Sequence, residues 1–380
     1  MYKFLYKAGN YCTMRTVMHF MGMKSTKYGG LEKFIIALIH HNPSLSFVLV
    51  YDDYPSSSQY IADLIQNNAI IEVVDFKSMG VAHQFRIYRE LLYKYNPDIV
   101  HFHFSYNHIG ALSARLHGVK KIYKTVHSCL IRNNVEIESY RQLGIKQRIN
   151  FFCGIANRLY SAILFVSDFT YNQYVKVFGP SSSYRRIYLG VEQRHGAAVQ
   201  MPKEVGDIPY GFKVITTIAF AHPLKGVDVL IRAMPEIEDA IFIIIGLKDC
   251  DYTRELQQLA DQLGVGERIR WIGIIDDIYP YLLITNIYVQ PSRTEALSLA
   301  ACEALSLGIP VIASNVGGLH EVSSIVFDNE NYHQLSHIAN ELLKDSILYK
   351  QLSDNCLTSF RQKFNMLDAV KSYTNIYLTN

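Results

Sequence analysis

Two glutamates near the carboxyl end of the sequence occupy positions where a carboxylate needs an explanation. Glu303 lies within the segment Leu299–Leu307, which otherwise contains only Leu, Ala, Cys and Ser306, and Glu295 lies just before it. This composition predicts a helix buried on all sides, where an ionised carboxylate costs several kcal/mol unless it is hydrogen-bonded. No Lys or Arg stands three or four positions from Glu303. The open explanations are a ligand with paired hydroxyls, such as a ribose, and a basic side chain distant in sequence.

The sequence also predicts where this helix begins and ends. Ser298 is a residue type that favours the N-cap, Gly308 favours the position after the last turn, and Pro310 blocks continuation. The first backbone N–H groups of a helix have no partner within it and therefore favour anions. We thus expect Glu295 to lie beside an anion-binding helix end.

The residues around this helix predict a doubly wound parallel sheet. Nearly continuous apolar runs rich in β-branched residues are typical of strands covered on both faces. The runs are Lys213–Ala219, Ala240–Gly246, Ile269–Gly273, Asn286–Gln290 and Ile309–Ala313. The helical patterns between them are Val227–Met234, Tyr252–Leu263, Ile278–Leu283 and Leu299–Leu307. Ligands bind such sheets outside the carboxyl ends of the strands, and both Lys225 and Glu295 follow a strand.

The first half of the chain repeats this α/β architecture without repeating the sequence. We predict strands at Thr16–Met21, Ser46–Tyr51, Ile70–Val74, Asp98–Phe102, Lys121–Val126, Ile163–Val166 and Arg186–Leu189. The helices between them include Leu31–His41 and Arg141–Ser161. Glu192–Gly211 lacks periodicity and contains prolines and glycines, so we interpret it as a linker. The prediction is one doubly wound domain in residues 1–195 and a second in 196–361. The last helical stretch, Met366–Tyr377 within residues 362–380, is expected to pack back on the first domain.

Several longer stretches match motifs of a known family. The most specific is PSRTEALSLAACEALSLGIPVIASNVGGLHEV, preceded by IRWIGIIDDIYPYLLITNIYVQPS; shorter ones are LKGVDVLIRA, KYGGLEKF, PDIVHFHFS, KTVHS and VSDFTYNQYVKVFG with IYLGVE. Together these stretches resemble the GT-B glycosyltransferases of glycosyltransferase family 4, over most of the chain from Arg15 to Tyr377. The resemblance implies two Rossmann-like doubly wound domains facing across a cleft, in a retaining, metal-independent enzyme.

The resemblance also implies roles for the residues that match the family motifs. Glu303 is expected to bind the ribose hydroxyls of a nucleotide, and Glu295 to contact the donor sugar. Lys225 is expected to neutralise charge on the departing nucleoside diphosphate, and His127 to face the reacting sugar. Further donor-binding candidates are Leu297, Ser298, Leu299, His222, Gly246, Gly273 and Arg293. Gly29 and Gly30 are expected to let the backbone approach phosphate or acceptor closely.

One departure from the family pattern concerns the diphosphate. The family usually places an arginine a few residues before the lysine of the Lys-Gly motif, whereas Ala219 and Phe220 stand here. His222 and Arg293 are the candidates for a substitute positive charge. At the amino end, Met1–Thr13 extends past the usual start of such chains, and we expect it to be peripheral.

Two clusters contain residue types that bind metals. Asp249 and Asp251 form an Asp-x-Asp pattern that suits a hard cation, but their turn-like surroundings favour a solvated loop. His101 and His103 share one face of a predicted strand, with His108 nearby, and are zinc-ligand types. No obvious carboxylate accompanies them, which favours histidines that are hydrogen-bonded or face an acceptor. We therefore predict no metal site.

Composition excludes several classes of function. The net charge of +3 is too small for nucleic acid as the main partner, and no Gly-x-Gly-x-x-Gly follows a strand, which argues against a dinucleotide oxidoreductase. Six cysteines without a Cys-x-x-Cys pair indicate the reduced thiols of a cytoplasmic protein. The apolar runs are far shorter than the ~20 residues of a membrane span. A set of basic residues leaves open either a solvated face or a peripheral contact with the inner face of the membrane: Lys120, Lys121, Lys124, Arg141, Lys146, Arg148 and Arg158.

The function that these observations and the resemblance predict is hexosyl transfer, with retention, from a nucleotide-sugar donor to a glycan or lipid-linked acceptor. The resemblance favours bacterial surface polysaccharide synthesis as the setting. The nucleotide-sugar is a substrate, so no cofactor and no metal are expected. The alternatives are a non-catalytic sugar-nucleotide-binding protein on the same fold, which the missing arginine favours, and a sugar-nucleotide epimerase.

Overall fold

The computed structural model describes residues 14–104, 108–132, 135–136, 156–194 and 201–379 of the chain. These residues form two parallel β-sheets with helices on both faces, so the prediction of two Rossmann-like α/β domains is confirmed. The expectations for Met1–Thr13 and for residues 141–155 of the predicted helix Arg141–Ser161 lie outside the described residues. None of the described helices is long and apolar enough to cross a bilayer.

The first sheet consists of seven parallel strands. They are β1 (Arg15–Phe20), β2 (Leu45–Tyr51), β3 (Ile70–Val73), β4 (Ile99–His103), β5 (Lys121–Val126), β8 (Ala162–Phe165) and β9 (Tyr184–Arg186), with β6 (Ile131–Arg132) and β7 (Val135–Glu136) forming a separate antiparallel pair. The strand order is β3-β2-β1-β4-β5-β8-β9. The helices are α1 (Gly30–His40), α2 (Ser58–Gln66), α3 (Val81–Tyr95), α4 (His108–His117) and α5 (Asp168–Phe178).

The second sheet consists of six parallel strands. They are β10 (Lys213–Ile218), β11 (Ala240–Ile245), β12 (Ile269–Ile272), β13 (Ile287–Gln290), β14 (Val311–Ser314) and β15 (Ile325–Phe327), in the order β12-β11-β10-β13-β14-β15. The first helices that cover it are α6 (Val227–Ala233), α7 (Asp251–Gln262), α8 (Tyr279–Leu283), α9 (Leu299–Ser306) and α10 (Leu319–Val322). Three further helices complete the chain: α11 (Tyr332–Lys344), α12 (Ser346–Ser359) and α13 (Met366–Leu378).

Two predicted segments differ from the structure. The strand predicted at Arg186–Leu189 is centred earlier, on β9, because the apolar residues after β9 leave the sheet. The Tyr188 ring lies 5.1 Å from that of Phe364, and Val191 N donates to the Phe364 carbonyl over 2.8 Å. The predicted linker also ends early, because Val205 is fully buried and its carbonyl accepts a 2.6 Å hydrogen bond from Arg270 Nε.

The apolar core is divided by the sheets into three parts. One part covers the outer face of the first sheet, a second covers the outer face of the second sheet, and a third runs continuously between the domains. The third part includes α13, where the Tyr373 ring packs 5.0 Å from that of Phe34 on α1. Lys121 Nζ donates to the Tyr377 carbonyl over 2.9 Å, a favourable position for a cation at a helix C-terminus. The C-terminal helix therefore contacts the first sheet.

Polar contacts between the domains fix how the two sheets face each other. The Glu321 carboxylate accepts the backbone N–H groups of Asp168 (2.8 Å) and Phe169 (2.7 Å) at the start of α5, where the helix dipole favours an anion. On the other side, Asp276 accepts the Tyr28 N–H over 2.8 Å and the Ser57 hydroxyl over 2.7 Å. These carboxylates tie together the loops at the carboxyl ends of the strands.

Candidate functional site

A cleft of about 480 Å³ lies between the two sheets, where β1, β4, β10 and β13 end. Parallel strands bring the loops at their carboxyl ends to one edge of a sheet, which is the usual place for a ligand. Eight of the residues selected from the sequence line this cleft: Gly29, Gly30, Lys225, Glu295, Leu297, Ser298, Leu299 and Glu303.

Helix α9 projects its N-terminus into the cleft. Its predicted ends are confirmed: Ser298 Oγ accepts the Ala301 N–H over 3.2 Å, and Gly308 has a φ of +72° just after the helix. The Ser298 hydroxyl also donates to Gln290 Oε1 over 2.8 Å, so the cap is anchored to the end of β13. The prediction that α9 is buried on all sides is wrong, because Leu299 and Glu303 border the cleft. Glu303 therefore has access to a ligand.

Lys225 and Glu295 form an ion pair at the rim of the cleft. Lys225 Nζ lies 2.5 Å from Glu295 Oε2, and only 16% and 14% of the two side chains are exposed. The Phe220 ring, at the position where the sequence lacks an arginine, lies 4.8 Å from the same ammonium group. A cation over an aromatic face is attracted by the ring quadrupole. Phe220 thus adds no charge but helps to hold Lys225.

Neither candidate for the substitute positive charge lines the cleft. His222 is exposed, and its Nδ1 accepts the Leu224 N–H over 3.1 Å. Arg293 forms ion pairs of 2.8 Å with Asp228 and 2.6 Å with Glu330, and donates to the Pro223 carbonyl. The hydrogen bonds to Asp228 raise the pKa of Arg293. Both side chains instead hold the turn that carries Lys225.

Two other donor-binding candidates also lie away from the cleft lining. Gly246 N donates over 3.0 Å to the carbonyl of Gly273, so these residues connect the ends of neighbouring strands. Neither residue borders the cleft.

The carboxylate of Glu303 meets a lysine from the opposite domain. Lys33 Nζ, on α1, lies 3.4 Å from Glu303 Oε1, with 24% and 15% of the two side chains exposed. This is the distant basic partner that the sequence left open. Sequence spacing offered no signal for it, because Lys33 belongs to the other domain. Lys33 also lines the cleft, so the pair remains accessible to a ligand.

The N-terminus of α1 approaches that of α9. A Cβ added to Gly30 would lie 3.0 Å from the Leu299 side chain, so only glycine permits this distance without displacement. Glu32, which the sequence reading missed, accepts the Gly29 N–H over 3.1 Å and the Ser25 hydroxyl over 2.9 Å. Burial raises the pKa of Glu32. Its position three residues after the N-cap is the spacing of a capping box, which was the available signal.

His127 lies at the edge of the site, against a residue that lines the cleft. Its ring stacks 4.3 Å from the ring of Phe104, and its Nε2 lies 2.9 Å from Nδ1 of His103. Burial lowers the pKa of His127 to about 3, so the ring is neutral near pH 7. His101 and His103 are fully hydrogen-bonded, as the sequence favoured.

The Asp-x-Asp pattern lies outside the cleft. The Asp249 and Asp251 side chains are 88% and 93% exposed, and Arg254 pairs with both, at 2.5 and 2.6 Å. Both side chains are therefore solvated, Asp249 in the loop after β11 and Asp251 at the first residue of α7.

Two of the basic residues of the first domain have partners or surroundings that the sequence did not predict. Lys124 is buried, and Lys121 is bound to the end of α13. Lys124 therefore does not belong to a solvated face, and the peripheral membrane contact stays a prediction. Arg141, Lys146 and Arg148 lie outside the described residues.

The cleft combines features that suit a phosphate-containing ligand with hydroxyl groups. The N-termini of α1 and α9 present backbone N–H groups, and Lys225 and Lys33 add positive charge beside them. Glu295 and Glu303 precede and follow the N-terminus of α9 and can accept hydrogen bonds from hydroxyls. This arrangement would therefore hold a ligand with phosphate in its middle and hydroxyl groups at both ends.

Two family models together match most of the chain. "Glycosyltransferase Family 4" matches residues 28–194, and "Glycosyl transferases group 1" matches residues 203–357. The boundary between them falls in the segment interpreted as the linker.

Individual proteins are similar at lower identity. A GDP-mannose-dependent alpha-(1-6)-phosphatidylinositol monomannoside mannosyltransferase of Mycobacterium tuberculosis is 26% identical over 48% of this chain and 52% of its own. The match thus spans about half the length of that relative. An N-acetyl-alpha-D-glucosaminyl L-malate synthase of Bacillus anthracis is 23% identical over 76% of each chain. The crystal structure of Anabaena HepE in complex with UDP shares the fold, with a TM-score of 0.77, 17% identity and coverage of 97% of this chain and 100% of HepE.

The turn that carries Lys225 provides a test of how tightly the rim of the cleft is packed. Gly226 has a φ of +62°, and a Cβ there would overlap the Pro291 carbonyl oxygen. Gly211 also has a positive φ, +89°, but has open space around it. We expect Gly211→Ala to lower the free energy of unfolding by about 1–2 kcal/mol, the cost of the left-handed backbone. Gly226→Ala should cost clearly more in urea unfolding. Equal costs would contradict the close contact.

Proposed function

This chain belongs to the GT-B glycosyltransferases of family 4, and from that premise we propose that it transfers a hexosyl group from a nucleotide-sugar to a glycan or lipid-linked acceptor, with retention of anomeric configuration. The observation that carries the proposal is the meeting of two helix N-termini, Lys225 and two carboxylates in one cleft. The relative from Mycobacterium tuberculosis, whose name specifies a phosphatidylinositol mannoside, supports a lipid-linked acceptor. We further propose bacterial surface polysaccharide synthesis as the setting, by family resemblance.

Glu303 is the proposed ribose-binding group. In the ligand-free arrangement its carboxylate is 3.4 Å from Lys33 Nζ, longer than the usual range for a charge-assisted hydrogen bond. A ribose offers two neighbouring hydroxyl donors, and a carboxylate oxygen can accept from both a hydroxyl and an ammonium group. The nucleotide would therefore complete the hydrogen bonding of Glu303 while Lys33 remains nearby. A nucleotide bound in this way would contact both α1 and α9, which belong to opposite domains.

Lys225 is the proposed electrostatic group at the diphosphate. Breaking the bond between sugar and diphosphate leaves negative charge on the leaving group, which a fixed cation stabilises. Glu295, 2.5 Å from Lys225 Nζ, holds the ammonium group at the rim of the cleft. Donor-sugar hydroxyls would then share Glu295 with Lys225. Backbone N–H groups at the start of α9 would hold the remaining phosphate oxygens, so the proposal requires no metal ion.

The proposed activity is tested with a panel of donors. GDP-mannose and a set of UDP-sugars are incubated with the protein in excess chelator, and products are analysed by mass spectrometry. Sugar transfer or slow donor hydrolysis supports a glycosyltransferase. Binding without turnover would favour a non-catalytic sugar-nucleotide-binding protein. This is the second candidate function because Phe220 stands where the family usually has an arginine. Isomerised donor would indicate an epimerase.

Glu303→Ala tests the ribose assignment. Loss of a hydrogen bond to a charged group should weaken UDP or GDP binding by roughly 1.5–3 kcal/mol, because the carboxylate is a direct ligand in the proposal. Isothermal titration calorimetry on both proteins measures this difference. Lys33→Met breaks the same ion pair from the other side but keeps the carboxylate, so it should weaken nucleotide binding less than Glu303→Ala does. If both variants lose stability but bind nucleotide as the parent does, Glu303 serves only the ion pair.

Lys225→Ala tests the leaving-group role. A preorganised charge acts on the transition state, so turnover should fall by ~10²-fold or more while nucleotide affinity changes far less. Steady-state kinetics with the donor found in the panel separates kcat from KM. The control is Lys248→Ala, which removes an exposed lysine outside the cleft of the same domain and should be neutral. A variant that keeps parental turnover would eliminate Lys225 as the group that stabilises the leaving diphosphate.

A further inference from the structure

Four histidines form a continuous hydrogen-bonded column beside the cleft, on the side of the first sheet. His127 Nε2 lies 2.9 Å from His103 Nδ1, and His103 Nε2 lies 2.9 Å from His19 Nδ1. Three of the rings share one face because His101 and His103 alternate with Phe102 along β4 and His19 pairs with His101 on β1. The column starts at His127, which stacks on the cleft-lining Phe104, and ends in the core.

The inner end of the column is a tyrosine of the C-terminal helix. Tyr377, fully buried on α13, places its hydroxyl 3.3 Å from His19 Nε2 and 2.6 Å from His101 Nδ1. His101 Nε2 in turn lies 2.8 Å from the Thr125 hydroxyl. The Tyr377 hydroxyl therefore contacts two imidazole rings. It has one proton and can donate it to only one of them.

The distances indicate which way the protons run. Hydrogen bonds donated by O–H are shorter than those donated by N–H, so the 2.6 Å contact is the one in which Tyr377 donates to His101. The tyrosine oxygen then accepts the N–H of His19 Nε2. It follows that His103 donates from Nε2 to His19 Nδ1, and that His127 donates from Nε2 to His103 Nδ1. Each neutral ring has one donor and one acceptor nitrogen, so both nitrogens of His19, His101 and His103 are satisfied and His127 uses its donor nitrogen within the column.

The rings of the column are neutral, so each ring determines the tautomer of the next ring and carries no positive charge. Burial lowers the pKa of His19 and His127 to about 3, and places the pKa of His101 and His103 well below its ordinary value. A neutral imidazole that donates from one nitrogen must accept at the other. The tautomer of one ring therefore sets that of the next.

A metal ion is the competing explanation for three of these rings. Ligand atoms of His19, His101 and His103 lie within 4.8 Å of one another. Each of their six ring nitrogens, however, already lies at hydrogen-bond distance from a partner in the column or from Thr125. A metal would have to break the column, so hydrogen bonding is the arrangement that the geometry favours.

From this geometry we propose that Tyr377 is a positioning residue, which fixes the tautomer of His127 through His19 and His103 so that Nδ1 of His127 is a bare acceptor. No described residue is hydrogen-bonded to that nitrogen, and the ring stacks on Phe104, which lines the cleft. If the proposed function holds, the consequence is specific. His127 can accept a hydrogen bond from a sugar hydroxyl, but it cannot donate one to phosphate.

The test is nitrogen-15 NMR of the full-length protein with labelled histidine, in the absence of any sugar-nucleotide. In the parent protein we expect a protonated Nε2 and an unprotonated Nδ1 for His127, assigned with His127→Gln. Tyr377→Phe keeps the ring but removes the hydroxyl, so the direction of the hydrogen bonds along the column is no longer fixed. The two His127 nitrogen signals should then move toward each other as both tautomers become populated.

The matched control is Tyr123→Phe. The Tyr123 hydroxyl donates over 2.8 Å to the Ile376 carbonyl, so this variant also removes one hydrogen bond between β5 and α13, but outside the column. Its His127 signals should equal those of the parent. The proposal is overturned if parental His127 is protonated at Nδ1, if its signals are unchanged in Tyr377→Phe, or if they change equally in Tyr123→Phe. Histidine signals that shift when chelator is added would instead reveal a bound metal. None of these readouts depends on transferase activity, so the proposed function is tested separately.

Discussion

A carboxylate on an otherwise apolar helix is the constraint on which the rest of this structure depends. The Leu, Ala and Cys residues of α9 pack against the second sheet and α12, and they leave Glu303 on the side that faces the cleft. A carboxylate in that position requires a partner because its desolvation is costly. Lys33 provides one from the opposite domain. The pair connects the two domains at the cleft, so in the proposed function the same carboxylate serves domain contact and nucleotide binding.

Other charged groups around the cleft are also paired. Lys225 is held by Glu295 and Phe220, while Arg293 holds the turn that carries it. No arginine among the described residues lines the cleft in place of the one missing at Phe220, but Lys24 and Lys27 line it together with Lys33 and Lys225. The positive potential comes from two helix N-termini and from the four lysines that line the cleft; Lys24, Lys33 and Lys225 each have a carboxylate within 3.4 Å. The carboxylates offset part of the lysine charge, and a diphosphate would compete with them for the same cations.

The sequence predicted those parts of the site that depend on local patterns. Ser298 and Gly308 marked the ends of α9 because capping depends on neighbouring residues, and the pleat placed His101 and His103 on one face. Contacts between distant segments had no local signal. Lys33 reaches Glu303 from another domain, and Tyr377 reaches the histidines from the last helix. Arg293 and His222 were selected for their charge, but their partners within the Lys225 turn direct them away from the cleft. The apolar run after β9 was read as a strand because packing on Phe364 selects the same residue types.

The most direct test of the account is the stereochemistry of the product. A sugar-nucleotide with an α-linked sugar is supplied to the protein in excess EDTA, and the anomeric coupling constant of the transferred sugar is measured by proton NMR. The proposed retention, which rests on the family resemblance, predicts an α-linked product. Lysines and helix N-termini that neutralise the leaving diphosphate without a cation predict that it forms at the same rate with and without EDTA. A β-linked product would contradict retention. Loss of product in EDTA that manganese restores would contradict the account of how this cleft stabilises the leaving group.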